Sequence, residues 1–387
     1  MYQVKCLNAI SVKGLQTLTT NYQITDDDKA DAYLVSSANL LDATFPIELK
    51  AIARAGAGVN NIPLDRCAEQ GIVVFNTPGA NANAVKELVI ASLLNASRDI
   101  HGGMDWIKAN QDDENITKDA EKAKKAFAGQ EILGKKIGVI GLGAIGVLVA
   151  NSLVNLGMDV YGYDPYISIE NAWHLDDKVT HVLDLKEIYT KCDYITIHVP
   201  LMDSTKKMIS REGIMAMKKG MIVLNIARDL IVDEEAMAEA LELGIVKKYV
   251  TDFPNPLSVK MKNAMVTPHL GASTEEAEDN CAVMAAKELM DYLEKGVIKN
   301  SVNFPNTDPG QVGLGSRITI LHRNVPNMIN AFTTALQRHN LNIANLMNKS
   351  RGNYAYTVID IDGKAPGGLD QALEHVENVL KVRVINK

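Results

Sequence analysis

The stretch "GKKIGVIGLGAIG", residues 134–146, decides the fold of the middle of this chain. Its first half is an apolar run that reads as a buried strand, and its second half carries glycines and opens an apolar helical segment. Strand, G-x-G-x-x-G and helix in that order are the dinucleotide-binding fingerprint. Gly141 permits the tight turn, Gly143 lets the backbone approach a pyrophosphate, and Gly146 lets helix and strand pack closely.

The next predicted strand, "DVYGYD" (residues 159–164), completes this motif with a carboxylate. Asp164 can accept hydrogen bonds from an adenosine ribose, and its charge would repel a 2′-phosphate. The residues that follow, "PYIS", contain no arginine that could compensate, so the sequence predicts NAD rather than NADP. The helix start at Ala144 and Ile145 offers free N–H groups and a partial positive charge to the phosphates.

The composition argues against several classes of function. A net charge of −7 and a pI near 5.7 argue against a nucleic-acid binder. The longest apolar run, "IGVIGLGAIGVLVA", is too short and too rich in glycine to span a bilayer, and the first residues lack a signal peptide's apolar stretch. We therefore expect a cytoplasmic protein that binds no membrane. Four widely spaced cysteines predict reduced thiols and no metal site; they are Cys6, Cys67, Cys192 and Cys281.

Short apolar runs alternate with helical patterns on both sides of the glycine motif. This alternation predicts parallel sheets and an α/β fold class. Residues 81–109 show helical spacing throughout, and the charged residues 110–127 are interpreted as a solvated surface segment. A linker rich in proline and glycine ends near Ser316, and the remaining chain follows the βαββαβ order of a small ferredoxin-like unit.

Arg228 stands just beyond the apolar run "MIVLN" (residues 221–225). The run reads as a buried parallel strand, and ligands of open α/β sheets sit at the carboxyl ends of such strands. A cation delivered to that edge predicts an anionic ligand. His269 ends another predicted strand, "AMVTPH" (residues 264–269), and is expected at the same edge of the sheet.

With these motifs the chain resembles the D-2-hydroxyacid dehydrogenases, and the resemblance covers essentially the whole sequence. It implies a Rossmann-type NAD-binding domain (91–272) inserted into a flavodoxin-like substrate-binding domain (1–90 and 273–300). A linker (301–316) and a βαββαβ unit similar to an ACT domain (317–387) follow. The segments that carry the resemblance are "NTPGANANAVKE", "GKKIGVIGLGAIG", "CDYITIHVPL", "NIARDLIVDE", "TDF" and "VTPHLGAST".

The resemblance implies that Arg228 binds the substrate carboxylate and that His269 is the acid/base. The chemistry agrees with these roles. A guanidinium can grip a carboxylate with two parallel hydrogen bonds. As a hydride leaves C2 of a 2-hydroxy acid for nicotinamide, a histidine that titrates near neutrality can take the hydroxyl proton and later return it.

Further contacts are implied by position within the family's motifs. The turn "GAGVNN" (residues 56–61) would donate backbone N–H groups to the carboxylate, Arg54 would meet the phosphate end, and Asp252 would hold the nicotinamide amide. The implied cofactor-binding set is Gly141, Gly143, Ala144, Ile145, Gly146, Asp164, Val199, Pro200, Ile226, Ala227, Asp252 and Gly271. The implied substrate-binding set is Ser37, Arg54, Gly58, Val59, Asn81 and Arg228.

The sequence departs from the family beside the histidine. Asn255 stands before Pro256, where the family places a glutamate that pairs with the histidine. A carboxylate there favours the imidazolium, whereas asparagine can orient the ring but supplies no charge. We include Asn255 in the catalytic set with Arg228 and His269. We expect oxidation to suffer little and reduction, which needs the imidazolium, to fade at a lower pH than in relatives with glutamate.

Two smaller departures concern the substrate. Ser36 stands where relatives often carry a phosphate-binding arginine, which weakens the inference of a phosphorylated substrate relative to that of the reaction class. Asp229 replaces the usual glycine after Arg228, and its carboxylate could either pull on Arg228 or point to solvent.

The ACT-like unit narrows the resemblance to the branch that oxidises 3-phosphoglycerate to 3-phosphohydroxypyruvate with NAD, the first step of serine biosynthesis. The expected ligand is thus a phosphorylated 2-hydroxy acid. One alternative is another D-2-hydroxyacid dehydrogenase, of the hydroxypyruvate or erythronate-phosphate type. A second is a non-catalytic NAD-sensing regulatory protein on the same scaffold, against which the retained Arg228 and His269 argue.

The ACT-like unit also implies an effector. His322, Asn324 and Asn342 match positions that hold L-serine in serine-sensitive relatives, at a contact between two ACT domains. We therefore expect a homodimer or homotetramer and inhibition by serine. The alternative is that these are ordinary loop residues in a domain that only dimerises. Asn327, which replaces a glycine usual in that loop, leaves the shape of the loop open.

Overall fold

The computed structural model describes residues 1–386, and they form two compact units. The first combines residues 1–81 with the chain from Glu275 onward, and the second is Ala82–Thr274. Both contain a parallel sheet flanked by helices, and the first also contains an antiparallel sheet. The predicted α/β fold class is confirmed. Within residues 1–386, no helix combines the length and apolar character needed to traverse a bilayer.

Residues 1–81 form a five-stranded parallel sheet with the order β2-β1-β3-β4-β5. Its central strands are buried on both faces, which is why they read as unbroken apolar runs. The elements are β1 (Tyr2–Cys6), α1 (Val12–Thr17), β2 (Tyr22–Thr25), β3 (Ala32–Val35), β4 (Ala51–Arg54), α2 (Leu64–Glu69) and β5 (Val73–Phe75).

The second unit opens with α3 (Ala82–Arg98), α4 (Ile100–Ala109) and α5 (Ile116–Ala123), the last followed by a 3₁₀ turn (Lys124–Phe127). The single helical stretch predicted here is wrong, because Asp99 adopts a left-handed φ of 43° and ends α3. Its carboxylate forms an ion pair of 2.8 Å with Lys248, which fixes the break. The segment interpreted as a solvated surface stretch (110–127) contains α5 and the 3₁₀ turn, and none of its residues is buried.

A seven-stranded parallel sheet follows, with the order β12-β11-β10-β9-β6-β7-β8. The strands are β6 (Lys136–Ile140), β7 (Asp159–Tyr163), β8 (Thr180–His181), β9 (Tyr194–Ile197), β10 (Met221–Asn225), β11 (Val246–Thr251) and β12 (Ala264–Val266). The helices are α6 (Ala144–Asn155), α7 (Ile169–His174), α8 (Leu185–Lys191), α9 (Arg211–Met215) and α10 (Glu234–Glu242), with 3₁₀ turns at Asp229–Ile231 and Ser258–Lys260.

This order is that of a doubly wound sheet, and its direction of winding reverses between β6 and β9. Ligands bind at such a switch point, outside the carboxyl ends of the strands. Separate apolar clusters cover the two faces of the sheet. The exposed edge strand β8 has only two residues and left no pattern in the sequence.

The chain returns to the first unit with α11 (Glu275–Lys295), whose buried face packs against β4 and α1. The C-terminal module then contains β13 (Ser316–Arg323), α12 (Met328–Arg338), β14 (Ile343–Arg351), β15 (Tyr354–Ile361), α13 (Leu369–Glu374) and β16 (Val379–Asn386). Its antiparallel order, β14-β15-β13-β16, confirms the predicted βαββαβ unit.

The two faces of the C-terminal sheet are buried against different partners. Ile318 and Ile320 pack with α12 and α13. Leu321 and Tyr356 lie on the other face, in one apolar cluster with Tyr292 of α11. The C-terminal module and α11 therefore share a core within the first unit.

A buried arginine ties the linker to this module. Arg317 is fully buried and forms two hydrogen bonds with Asp360, of 2.6 and 2.9 Å. Its other N–H groups donate to the carbonyl oxygens of Lys295, Pro309, Gly310 and Gln311. The linker, which the sequence showed only as a stretch rich in proline and glycine, is thereby held at several points.

Candidate active site

The glycine loop after β6 has the geometry of a phosphate-binding turn. Gly141 has a φ of 91°, and a Cβ there would lie 2.7 Å from the carbonyl oxygen of His198. A Cβ at Gly146 would lie 1.8 Å from the carbonyl oxygen of Gly141. A Cβ at Gly143, in contrast, would meet no atom within 4 Å. The protein itself requires the outer glycines, whereas the space at Gly143 suits a ligand at the N-terminus of α6.

Asp164 is fixed beside this loop at the end of β7. Its two carboxylate oxygens accept hydrogen bonds of 2.8 Å from the backbone N–H groups of Leu142 and Tyr166. An ionised carboxylate offers about four acceptor positions, so each oxygen can still accept a ribose hydroxyl. Open space at Gly143 and a held carboxylate at Asp164 together fit NAD.

Arg228 is held at the carboxyl end of β10 by the last residue of that strand. Asn225 is fully buried, donates to the carbonyl oxygen of Arg228 (2.8 Å) and accepts from the N–H of Ala227 (3.2 Å). The guanidinium donates to the carbonyl oxygen of Ala227 (2.7 Å) and lies 5.8 Å from the ring centre of Phe253. The contact with Phe253 is a cation–π interaction.

His269 lies beyond its strand rather than at the strand's end. β12 stops at Val266, and His269 adopts a left-handed φ of 58° in the following loop. The expectation that His269 ends a strand was wrong. Its ring lies 4.9 Å from the ring of Phe253, centre to centre. Phe253 therefore contacts both Arg228 and His269 and brings the cation and the imidazole to one place.

Asp252 fixes the loop that carries His269. It is 1% exposed, and its carboxylate accepts from the hydroxyl of Thr267 (2.6 Å) and from the N–H groups of Leu270 (2.8 Å) and Gly271 (2.7 Å). Its own carbonyl oxygen accepts from the N–H of His269 (3.0 Å). These bonds hold a non-glycine residue in a backbone conformation that is otherwise costly. A contact of Asp252 with nicotinamide stays a prediction.

The described contacts of Asn255 run to its own loop and to Glu234, not to His269. Its amide donates to the Glu234 carboxylate (2.6 Å) and accepts from the N–H groups of Leu257 (3.0 Å) and Ser258 (2.9 Å). The ring-orienting role predicted for Asn255 therefore has no support in the geometry, because both ends of the amide are engaged elsewhere. Burial raises the pKa of the Glu234 carboxyl, and the Asn255 bond opposes that shift.

Asp229 does not contact the Arg228 guanidinium in any bond that the described residues show. Its carboxylate accepts from the backbone N–H of Leu230 (2.8 Å) and so closes its own turn. Of the two possibilities for the Asp229 carboxylate, a contact with Arg228 or a position in solvent, the described residues show neither; the carboxylate binds the backbone of its own turn.

In the first unit, Arg54 braces the turn that follows β4. Its guanidinium donates to the carbonyl oxygens of Ser36 (3.0 Å) and Gly58. The hydroxyl of Ser37 is exposed and accepts from the Asn8 amide at 3.4 Å. Asn81 has a buried side-chain oxygen with no hydrogen-bond partner among the described residues, which makes it an available acceptor. The sheet order places β3, β4 and their following turns side by side.

The three predicted effector residues do not meet within one chain. His322 pairs across the sheet with Ala355, whereas Asn342 precedes Ile343, which pairs with Ile361 at the other end of β15. His322 is buried, and its ring nitrogens already bond the Arg323 carbonyl oxygen and a threonine hydroxyl, each at 2.8 Å. A shared site would need Asn342 from a second copy.

Asn327 keeps the shape of the effector loop despite replacing a glycine. It adopts a φ of 67° at the start of α12. Asparagine is among the few non-glycine residues that enter this left-handed region readily. The replacement of glycine by Asn327 is therefore compatible with the backbone conformation of this loop.

Among residues 1–386, no group of three or more His, Cys, Asp or Glu side chains is placed to hold a metal ion.

Comparison with known proteins agrees with this geometry. Residues 90–271 match the NAD binding domain of the D-isomer specific 2-hydroxyacid dehydrogenases. The D-3-phosphoglycerate dehydrogenase of Methanocaldococcus jannaschii is 37% identical over 321 residues, 80% of this chain and 59% of that one. The D-3-phosphoglycerate dehydrogenase of Haemophilus influenzae is 31% identical over 346 residues, 85% of this chain and 79% of that one. This chain spans less than two thirds of the first two relatives.

Solved structures show the same fold. The NAD⁺-bound 3-phosphoglycerate dehydrogenase of Entamoeba histolytica superposes with a TM-score of 0.61 at 26% identity, covering 78% of this chain and 98% of that one. A D-2-hydroxyisocaproate dehydrogenase superposes with a TM-score of 0.63 at 22% identity, covering 78% of this chain and 100% of that one. The second likeness concerns the fold alone.

Proposed function

The chain belongs to the D-isomer specific 2-hydroxyacid dehydrogenase family, and on that basis we propose that it oxidises 3-phosphoglycerate to 3-phosphohydroxypyruvate with NAD. The observation that carries the proposal is Phe253, which contacts both the Arg228 guanidinium and the His269 ring. The relatives named D-3-phosphoglycerate dehydrogenase and the C-terminal βαββαβ unit support the choice of substrate.

Two side chains of the second unit have separate roles in the proposed reaction. Arg228 binds the substrate carboxylate and orients C2, because its planar fork matches two carboxylate oxygens. His269 removes the proton of the C2 hydroxyl through a ring nitrogen as the carbonyl forms. NAD, when bound at the glycine loop, supplies the acceptor for the hydride from C2. In the reverse direction His269 donates the proton to the new hydroxyl.

The phosphate end of the substrate is assigned to Arg54. Ser36 replaces the arginine that relatives often carry, but its carbonyl oxygen accepts from the Arg54 guanidinium and holds it in place. The exposed Ser37 and the backbone of Gly58 and Val59 lie in the same turns, and Asn81 offers its unpartnered oxygen to a hydroxyl.

A steady-state assay of NADH formation tests the proposal. We expect 3-phosphoglycerate to give a kcat/KM well above those of D-glycerate and erythronate 4-phosphate, with His269→Ala as the inactive control. A higher kcat/KM for an unphosphorylated acid would contradict the proposed substrate and assign the chain to another branch of the family. No NADH from any of these acids, in a protein that still binds NAD, would favour the regulatory alternative.

We also propose a homodimer or homotetramer with L-serine as an effector. Because Asn342 and His322 lie at opposite ends of the C-terminal sheet, the proposal requires two chains. Sedimentation velocity measures the assembly, and a serine titration of activity measures the effect. Activity that stays constant up to millimolar serine would exclude serine as an effector, and only the proposed oligomer would remain.

A further inference from the structure

A cavity of about 500 Å³ in the first unit is lined by residues that belong to none of the predicted catalytic, cofactor-binding or substrate-binding sets. The cavity is lined by residues of α11, by the segment that follows this helix, and by Gly79 and Ala80. A volume of this size is within the range of small-molecule sites. The α11 residues that line it are Asn280, Val283, Met284, Lys287, Glu288 and Asp291, and the following segment adds Lys299 and Asn300.

The most unusual residue of this cavity is Glu288. It is only 5% exposed, although it carries a carboxyl group in the middle of a helix. One carboxyl oxygen, Oε1, accepts from the amide of Asn300 at 2.7 Å. The other, Oε2, is buried with no hydrogen-bond partner among the described residues. Buried polar atoms are rarely left unpaired in native proteins, so Oε2 indicates a group that is still to be bound there.

The protonation state of Glu288 determines whether Oε2 needs a hydrogen-bond donor or an acceptor. Burial raises the pKa of this carboxyl to about 8, against smaller opposing effects of Asn300 and Lys299. Near pH 7 the group is therefore a neutral acid. Because the Asn300 N–H points at Oε1, the hydroxyl sits on Oε2 and needs an acceptor.

The charges around the cavity favour an anion as that acceptor. Lys287 and Lys299 are exposed cations on two of its walls. Asp291, on the same helix, forms an ion pair of 2.7 Å with Lys295, and its negative charge helps to raise the pKa of Glu288. Gly79 and Ala80 bring no charge. At neutral pH the lining thus presents two ammonium groups, one unpartnered hydroxyl and one carboxylate, that of Asp291, which is already paired with Lys295.

We propose that this cavity binds a small oxyanion, a carboxylate or a phosphate, held by the Glu288 hydroxyl and the ammonium groups of Lys287 and Lys299. A water molecule could satisfy Oε2 alone, but it would gain nothing from the two lysines. The site shares no residue with the predicted cofactor and substrate sets, although Gly79 and Ala80 directly precede Asn81, so anion binding is measured without the proposed reaction.

Isothermal titration of the full chain with sodium phosphate, and separately with sodium acetate, tests this proposal. We expect saturable binding of at least one anion, and the one that binds identifies the headgroup. Lys287→Met/Lys299→Met should weaken binding at least tenfold, about 1.4 kcal/mol. Lys364→Met, an exposed lysine of the same unit outside the cavity, should leave it unchanged.

A second variant tests Glu288 itself. Glu288→Gln keeps a donor on the side of Oε2 but cannot ionise, so it should bind the anion near pH 7. Between about pH 7 and about pH 9 wild-type affinity should fall relative to this variant, because ionised Glu288 repels the anion. The comparison cancels any titration of the anion. The proposal is overturned by binding that ignores the double lysine substitution, by equal pH profiles, or by a cavity that holds water alone.

Discussion

Phe253 places two functional groups on one aromatic ring, and nothing in the sequence around it announces that role. "TDF" was recognisable as a motif, but contact with both Arg228 and His269 depends on how the segments after β10, β11 and β12 come together. Arg228 itself could be predicted, because a cation after a buried strand has one place to go in a parallel sheet. The left-handed turn at His269 could not be predicted, since only a few per cent of non-glycine residues adopt a positive φ and the neighbouring sequence does not mark this one.

Replacing Phe253 tests its positioning role. Phe253→Leu should lower kcat about ten- to a hundredfold, because a small displacement of reacting groups has effects of that size. NAD binding, measured by fluorescence titration, should not change. Phe253→Tyr keeps the ring and should recover most of the activity; equal losses in both variants would point to a packing defect instead.

Substituting Asn255 distinguishes a role in stabilising its loop from a role in catalysis. Asn255→Ala removes the bond to Glu234 and leaves a half-buried carboxylate with one partner fewer, at a cost of about 1–3 kcal/mol. Denaturant titration should show that loss, while the midpoints of the pH–rate profile stay in place. A profile that moves would return Asn255 to the catalytic set.

The raised pKa of Glu288 predicts a pH-dependent stability. The folded state keeps a proton up to about pH 8, whereas the unfolded carboxyl loses it near 4.5. The unfolding free energy should therefore fall as pH rises from about 4.5 to about 8, and level off above that. Urea titrations across this window should show a smaller slope for Glu288→Gln, and identical slopes would exclude Glu288 as the cause.

Among the elements, buried strands were the easiest to predict and the helix–loop boundaries the hardest. β3, β9 and β10 are buried on both faces and appear as continuous apolar runs. The break at Asp99 was hidden because apolar spacing continues through it, and the ion pair with Lys248 that fixes it is distant in sequence. The hydrogen bond from Asn255 to Glu234 could not be predicted from the sequence for the same reason, because the two residues lie in different segments.

The turn between β6 and α6 yields a matched pair of substitutions. Gly143→Ala meets open space, so it should leave stability unchanged and raise the KM for NAD about tenfold or more. Gly146→Ala pushes a methyl group against the Gly141 carbonyl and should destabilise the fold. Melting temperatures and NAD titrations of both variants would show this contrast; a Gly143→Ala protein with normal NAD binding would contradict the cofactor site.

For the whole molecule, the sequence indicated a sheet-containing C-terminal module but not its attachment. The sequence marked the linker only by its prolines and glycines, whereas in the structure Arg317 binds Asp360 and four backbone carbonyl oxygens. An arginine inside a strand pattern gives no sign of such partners, because they come from segments that only tertiary folding brings near.

Removing the hydrogen bonds of Arg317 should lower the free energy of unfolding. Arg317→Met leaves the Asp360 carboxylate without its partner, and loss of one member of a buried pair costs about 3–5 kcal/mol. Arg323→Met is the matched control, since its ion pair with Glu69 is half exposed and worth about 0–1 kcal/mol. Denaturation midpoints of the two variants should differ accordingly, and similar values would mean that Arg317 does not fasten the linker.

The core shared by α11 and the C-terminal sheet has a mechanical consequence. Tyr356 hydrogen-bonds the carbonyl oxygen of Gly296, and Arg383 lies over the ring of Tyr292. The C-terminal sheet therefore cannot move away from α11 without exposing the apolar surface of Leu321, Tyr356 and Tyr292, so a distortion of this sheet would also load the helix.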